Sequence, residues 1–194
     1  MEENIIMNIK EKVLKDGYVI GNNILKVDSF INHQVDTKLI DELGEYFSKK
    51  FTGVTKILTI ETSGIAFGVG VARYYNYVPL VFAKKSKSKI VDENNLYTTV
   101  VDSFTKGTSN VVSVDRRFLS ENDKVLIVDD FMAEGNASIG LIDLCKQANA
   151  EVVGVAIVIE KGFQNGRKRL EELGIRVESA VIVDRFENGV PILR

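Results

Sequence analysis

The chain is poor in residues that build covalent or metal cross-links: its 194 residues include one cysteine, Cys145, and one histidine, His33. A single cysteine cannot form an internal disulfide, and these two residues cannot supply the ligands of a structural zinc site. The longest uninterrupted apolar run, Val155–Ile159, is far shorter than the roughly 20 residues that a membrane helix requires. Residues 1–4 are acidic where a secretory signal would be basic. We therefore expect a cytoplasmic protein without a membrane partner or a dedicated metal site.

Proline is also scarce, with two residues, and neither sign of charge is in large excess, since 25 Lys and Arg face 27 Asp and Glu. The resulting net charge of −2 argues against a nucleic-acid-binding surface over the whole protein. Apolar residues, in contrast, make up 45% of the chain, which excludes a disordered or low-complexity sequence. This length and composition predict one domain over residues 1–194.

From residue 54 onward, short β-branched runs alternate with segments of helical periodicity. This alternation is typical of βα units, so we predict an α/β fold with a mainly parallel sheet flanked by helices. The predicted strands are Lys56–Ile60, Val78–Phe82, Lys124–Val128, Val152–Ile159 and Arg176–Val183. The predicted helices between them are Gly64–Tyr74, Ala137–Gln147 and Asn165–Leu173.

Two parts of the chain depart from this alternation. Residues 1–52 predict a small N-terminal appendage of two amphipathic helices joined by a short hairpin. Its segments are Ile5–Leu14, Tyr18–Ile20, Ile24–Val27 and Asp36–Phe51. Residues 84–117 are polar and predict a projecting, flexible hairpin with strands at Tyr97–Val101 and Asn110–Val114 around a turn at Lys106-Gly107.

The most informative segment is residues 125–138, in which four apolar residues are followed by Asp129 and Asp130, and then by a short loop, Ala133–Ala137, that leads into a helix. Ligands of open α/β sheets bind at the carboxyl ends of strands, where a helix N-terminus offers unpaired N–H groups to a phosphate. The two carboxylates can accept hydrogen bonds from sugar hydroxyls. The segment therefore predicts a site for a phosphoribosyl group, although acidic residues at this position could also simply cap the helix.

Other nucleotide-binding motifs fit less well. Gly68-Val69-Gly70 is not a dinucleotide fingerprint because Arg73 occupies the place of the third glycine, and the chain has no phosphate-binding loop that ends in Gly-Lys-Ser/Thr. Ser63 and Gly64 follow another predicted strand and could present N–H groups to a second phosphate, although Ser63 could instead cap the helix. Residues 84–89 carry four lysines, which could close over an anion or form a solvated surface.

Residues 125–138 resemble the phosphoribosyl-diphosphate motif of the type I phosphoribosyltransferases. Four further segments, in the same order and over nearly the full length, resemble the bacterial xanthine phosphoribosyltransferases within that family. They are Ile24–Gln34, Glu61–Ala66, Ser103–Lys106 and Val158–Phe163. One departure is Glu134, a carboxylate at a position where the family often has threonine or serine, which calls for phosphate binding by the backbone.

The resemblance implies a type I phosphoribosyltransferase fold and the transfer of 5-phosphoribose from its 1-diphosphate (PRPP), as a Mg²⁺ complex, to xanthine. It implies a homodimer, a base pocket completed by residues 1–52 (the hood) and a lid formed by residues 84–117. The implied catalytic residues are Asp129 and Asp130. The implied PRPP contacts are Ala133, Glu134, Gly135, Asn136, Ala137, Ser63, Gly64 and Lys85. The implied xanthine contacts are Leu25, Asn32, Lys161 and Phe163.

Two alternatives stay open at this point. One is an enzyme of the same family that prefers hypoxanthine or guanine, because an amide such as that of Asn32 can reverse its donor and acceptor. The other is a non-catalytic regulator that senses PRPP and binds RNA through the basic residues 84–89. Purified protein that releases no diphosphate but binds RNA in a salt-dependent manner would favour the regulator.

Overall fold

The computed structural model describes residues 2–21, 24–85, 93–103 and 108–194. Its helices are α1 (Glu2–Asp16), α2 (Thr37–Ser48), α3 (Gly64–Arg73), α4 (Asn136–Gln147) and α5 (Gly166–Glu172). Its strands are β1 (Tyr18–Ile20), β2 (Ile24–Lys26), β3 (Lys56–Ile60), β4 (Leu80–Ala83), β5 (Leu96–Ser103), β6 (Thr108–Asp115), β7 (Lys124–Met132), β8 (Glu151–Lys161), β9 (Val177–Glu187) and β10 (Val190–Leu193). A π-helical turn, Asp28–Asn32, lies between β2 and α2.

A six-stranded sheet in the order β10-β9-β8-β7-β3-β4 forms the centre of the fold. All neighbouring strands are parallel except β10, which pairs antiparallel with β9. The strand order reverses between β3 and β7, because the chain passes from β3 to β4 on one side and later returns to β7 on the other. This point is where open α/β sheets bind their ligands.

The sheet separates two apolar layers. Ile57, Leu126 and Val158 face a cluster that includes buried residues of α1, α2 and α3. Leu58 and Ile127 face a second cluster, which includes buried residues of α4 and the hairpin formed by β5 and β6. Because both faces are covered, the central strands are nearly continuous in apolar residues, as the sequence indicates.

The hood lies on the first of these faces. Helix α1 packs against α2 and the β9–β10 edge of the sheet, and α2 packs against α3. Asp36 caps α2, because its Oδ1 accepts hydrogen bonds from the N–H groups of Lys38 and Leu39 at 3.0 and 3.1 Å. No helix within the described ranges is both long and apolar enough to cross a membrane.

The predicted elements are confirmed in position, but β7, β8 and β9 run further toward their carboxyl ends than predicted. Strand β7 continues to Met132, so the prediction that it ends at Val128 is wrong and the acid pair lies inside the strand. Strand β4 starts at Leu80 rather than Val78, and β10 was not predicted. A prediction from apolar residues stops where the apolar run stops. Hydrogen bonds to neighbouring strands, however, continue the strand into the polar residues that follow.

The β5–β6 hairpin is an antiparallel pair that forms its own two-stranded sheet. Its described strands pack on α4, where the Gln147 side-chain amide donates to the carbonyl of Thr98 at 2.9 Å. Val101 and Val112 are buried in the cluster that α4 shares with the sheet. The predicted turn at Lys106-Gly107 and four residues of the lysine-rich run, Ser86–Lys89, lie outside the described residues.

Candidate active site

The point of strand-order reversal contains a cleft between β3 and β7. The two strands pair with each other from Lys56–Val125 to Leu58–Ile127, and beyond this segment each is paired only with its other neighbour, β4 or β8. The continuing ends bring Asp129 next to the N-terminus of α3, so that a Cβ on Gly64 would lie 2.9 Å from Asp129 Oδ1. The same Cβ would overlap the buried hydroxyl of Thr59. Glycine at residue 64 is therefore what lets the helix approach the acid.

The loop between β7 and α4, residues 133–135, is the second component of the site. Gly135 adopts a left-handed conformation, with φ of 76° and ψ of 11°, which glycine adopts without strain. The carbonyls of the loop all accept hydrogen bonds from the protein: Ala133 from the N–H of Gly166, Glu134 from the Arg169 guanidinium and Gly135 from the N–H of Ile139.

The N–H groups of residues 134–138 have no acceptor within the described part of the chain. The loop therefore directs its acceptors toward the protein and leaves its donors at the N-terminus of α4, where the helix dipole favours an anion. Backbone donors bind a phosphate whatever side chain residue 134 carries. This arrangement is compatible with the carboxylate of Glu134.

A cavity of about 470 Å³ opens between this loop and the β5–β6 hairpin. Ala133, Glu134, Gly135, Asn136 and Ala137 line it together with Lys85 and hairpin residues that include Asp102 and Asn110. The structure thus brings the predicted loop residues and the predicted lysine into one cavity. The acid pair is not part of its lining and lies in the adjoining β3–β7 cleft.

The acid pair combines one buried and one half-buried carboxyl group. Asp129 is 5% exposed, and its Oδ1 accepts a hydrogen bond of 3.0 Å from the N–H of Asp130. Burial raises the pKa of Asp129 well above its usual value, and the neighbouring Asp130 carboxyl raises it further. The positive charge of Lys85 acts in the opposite direction. A cation bound beside the pair would relieve the penalty that burial imposes on the charged form.

Ser63 and Gly64 lie at the N-terminus of α3, where Gly64 packs against Thr59 of β3 and Asp129 of β7. The hydroxyl of Ser63 makes no capping hydrogen bond to the helix, so the alternative that it serves as a cap is wrong. The peptide bond between Glu61 and Thr62 is cis, a feature that nothing in the sequence indicates. The Glu61 carboxylate accepts a hydrogen bond of 3.0 Å from the N–H of Lys85, which ties this turn to the end of β4.

The predicted base-contacting residues lie at the next strand end. Lys161 is the last residue of β8 and is half-buried, and burial lowers the pKa of its ammonium group. The ring of Phe163 is 44% exposed and packs edge-to-face on Phe186, with 5.7 Å between the ring centroids. A partly exposed aromatic ring thus follows a half-buried cationic side chain by two residues in the chain.

Leu25 and Asn32 belong to the hood. Leu25 is buried in the cluster against which Phe186 also packs, so the hood and the support of the Phe163 ring share one apolar layer. Asn32 is exposed at the end of the π-helical turn, next to the fully buried Ile31. The described contacts include no direct contact of either residue with Lys161, so their place in the base site remains a prediction.

Sequence reasoning missed the polar residues that support the site. Glu160 is 2% exposed and forms a bidentate ion pair of 2.9 and 2.6 Å with Arg167. Gln164 has a buried side-chain oxygen without a partner in the described part of the chain. A glutamate that directly follows five apolar residues could have signalled a buried ion pair, but nothing in the sequence identifies Arg167 as its partner.

Comparison with known proteins gives matches to one family over most of the chain. A family model described as the phosphoribosyl transferase domain matches residues 31–192. A xanthine phosphoribosyltransferase of Clostridium novyi (strain NT) is 52% identical over 188 residues, which cover 96% of this chain and 98% of that protein. A xanthine phosphoribosyltransferase of Oceanobacillus iheyensis is 52% identical over 183 residues, which cover 93% of each chain.

Solved structures of more distant proteins share the fold. The adenine phosphoribosyltransferase of Rhodothermus marinus has a TM-score of 0.72 at 23% identity, over 93% of this chain and 99% of that one. The enzyme of Saccharomyces cerevisiae has a TM-score of 0.72 at 20% identity, over 92% and 99%. The fold is thus shared beyond close sequence similarity, and with a family model that extends over most of its length, this chain belongs to the phosphoribosyltransferase family.

Proposed function

We propose that this protein transfers the 5-phosphoribosyl group of PRPP to a ring nitrogen of xanthine, which yields xanthosine 5′-monophosphate and diphosphate in purine salvage. The observation that carries the proposal is the loop at residues 133–135, whose carbonyls are held by the protein while the N–H groups of residues 134–138 are left for a phosphate. The two relatives at 52% identity, each named xanthine phosphoribosyltransferase, support the choice of base.

The reaction breaks the bond between the anomeric carbon of ribose and the diphosphate oxygen, and it forms a bond from that carbon to the nitrogen. Positive charge develops on the ribose while negative charge collects on the leaving group, so positioning and fixed charges supply most of the rate. Asp129 and Asp130 hold the ribose hydroxyls and stabilise the cationic sugar.

The diphosphate lies, in this proposal, between the α3 N-terminus and the lid. Ser63 and Gly64 offer N–H groups, and Lys85 places a positive charge at the edge of the same cavity as the 5-phosphate loop. In this proposal Mg²⁺ would arrive bound to PRPP and would neutralise charge on the leaving diphosphate, so it would need no dedicated site on the protein.

The base site combines residues of the hood and the β8 end. The Lys161 ammonium donates a hydrogen bond to the 6-oxygen of an oxopurine and opposes the amino group of adenine. Phe163 stacks on the base, Leu25 packs against the ring, and the Asn32 amide donates to the 2-oxygen of xanthine. Residues 1–52 act as the hood over this pocket and residues 84–117 as the lid.

We further propose that the protein works as a homodimer in the cytoplasm, where its single, buried cysteine stays reduced. Diphosphate release by purified protein with PRPP and each of xanthine, hypoxanthine, guanine and adenine tests the function. We expect xanthine to have the highest kcat/KM. A preference for hypoxanthine or guanine would overturn the choice of base, and salt-dependent RNA binding without diphosphate release would overturn the enzyme.

A further inference from the structure

We propose that Arg169 is the positioning residue that orients the phosphate-binding loop, an inference that rests on the proposed function of that loop. Arg169 lies on α5, some 30 residues beyond the loop in sequence, and is half-buried. Its Nη1 donates both to the carbonyl of Glu134 and to Oδ1 of Asn136, the latter at 2.7 Å. One guanidinium thus holds a backbone group of the loop and the first residue of α4.

The hydrogen bond to the Glu134 carbonyl determines which side of that peptide faces the cavity. A peptide group has its C=O and N–H on opposite sides, so fixing the carbonyl of Glu134 toward α5 turns the N–H of Gly135 away from it. The flanking carbonyls are held by backbone donors, Gly166 at 3.1 Å and Ile139 at 2.9 Å. Only the central peptide of the loop depends on a side chain, and that side chain is Arg169.

The close approach of the two glycines fixes the distance over which Arg169 acts. A Cβ on Gly135 would lie 3.1 Å from the Cα of Gly166, and a Cβ on Gly166 would overlap the carbonyl oxygen of Ala133. The loop and the N-terminus of α5 are therefore packed backbone against backbone. The guanidinium needs to span only a single turn of α5 to reach the loop.

Helix α5 is itself anchored at a second point. Arg167 forms its bidentate pair with the buried Glu160 and also donates to the carbonyl of Val177 at 3.0 Å. These contacts fix the helix to β8 and β9, so Arg169 projects from a support that does not move with the loop. Asn136 extends the connection in the other direction, because its Nδ2 donates to the carbonyl of Asp102 on β5 at 3.2 Å. The orientation of the loop is thereby tied to the hairpin.

The experiment compares Arg169→Gln, Arg169→Lys and the control Lys168→Gln. Lys168 is the adjacent residue of α5, has a side chain that is 75% exposed and faces only Glu172 at 3.9 Å, so its substitution removes the same charge from the same helix. The readouts are the dissociation constant of ribose 5-phosphate, the KM values for PRPP and for xanthine, and the melting temperature.

We expect Arg169→Gln to weaken ribose 5-phosphate binding and to raise the KM for PRPP by about 10- to 100-fold, with little change in the KM for xanthine. Arg169→Lys should fall between this variant and the wild type, since an ammonium keeps the charge and the donors but lies on a shorter side chain without the planar guanidinium geometry. Lys168→Gln should behave like the wild type.

Unchanged ribose 5-phosphate binding in Arg169→Gln would overturn the inference, as would an equal effect of Lys168→Gln. A lower melting temperature with both KM values unchanged would assign Arg169 a purely structural role and would overturn it too. If Arg169→Gln does not fold, Arg169→Lys decides the question by the same readouts. Wild-type protein that binds ribose 5-phosphate but transfers nothing to any purine would refute the proposed function, while the binding comparison would still test Arg169.

Discussion

The phosphate side and the base side of the site are assembled in different ways. The phosphate side comes from one continuous segment, Asp129–Ala137, supported by the start of α3. The base side is gathered from segments more than 120 residues apart, with Leu25 and Asn32 in the hood, Lys161 at the end of β8 and Phe163 just after it. The phosphate loop is held by hydrogen bonds from α5 and from the first turn of α4, whereas the base-side segments depend on the apolar layer between the hood and the sheet. Substitutions on the phosphate side should therefore change the kinetics toward PRPP, and substitutions on the base side should change the kinetics toward the purine.

The largest effect is expected from Asp130→Asn. Removing a fixed negative charge next to a developing cation should lower kcat by about 100-fold or more, with a small change in either KM. Steady-state kinetics of diphosphate release measure it. Glu151→Gln, at the opposite end of the sheet and exposed, removes the same charge and should leave kcat unchanged. An equal loss in both variants would mean that overall charge, and not the acid pair, sets the rate.

On the base side, Lys161→Ala should lower kcat/KM for xanthine by about 10- to 100-fold, which is the loss of a charge-assisted hydrogen bond of about 1.5 to 3 kcal/mol. The KM for PRPP should stay near its wild-type value. Turnover of adenine, which has no 6-oxygen, should fall less than turnover of xanthine in this variant. Unchanged kinetics with all oxopurines would remove Lys161 from the base site.

Gly135→Ala addresses the phosphate side through the backbone. Alanine is strained at a φ of 76°, and its Cβ would meet Gly166 at 3.1 Å, so the loop must shift by a few tenths of an ångström. We expect the KM for PRPP to rise about tenfold. Gly174→Ala is the matched control, since it has a φ of 74° with open space around the Cβ. Gly174→Ala should lose about as much stability as Gly135→Ala but should keep the wild-type KM for PRPP. A similar rise in the KM for PRPP in both variants would contradict the role of the contact between Gly135 and Gly166.

The smallest effect is a pH-dependent change in stability from Asp129→Asn. The pKa of Asp129 is raised in the folded state, so its contribution to stability is complete below the unfolded pKa near 4 and is lost as the pH rises through the folded pKa. The variant escapes this loss, so its melting temperature at neutral pH should exceed that of the wild type. The difference should shrink toward pH 4. A melting-temperature difference between the variant and the wild type that stays constant from pH 4 to 8 would show that ionisation of Asp129 costs the folded protein no stability.

The contrast between a phosphate side built from one segment and a base side built from distant segments also explains how much of the site the sequence could predict. Periodicity located every helix and most strands, and the phosphate loop was recognisable because the strand, the acids and the glycine are adjacent in the chain. Lys161 and Asn32 were singled out by family resemblance, since no local pattern connects them. Arg167 and Arg169 carry no sequence signal, because on a short helix of mixed charge nothing distinguishes the arginines that contact Glu160 and Glu134 from the exposed Lys168. Long-range partners of polar groups are set by the packing of elements and cannot be predicted from spacing.

The close packing of Gly135 on Gly166 has a consequence for redesigning this protein. Because backbone meets backbone at this point, neither position can gain a side chain without moving the other, and the anion-binding half behaves as a fixed module. The hood has no comparable restriction at Asn32, whose side chain is exposed at the end of a turn. An attempt to change the preferred purine should therefore begin with a library at residues 25, 32, 161 and 163, with residues 129–137 left as they are.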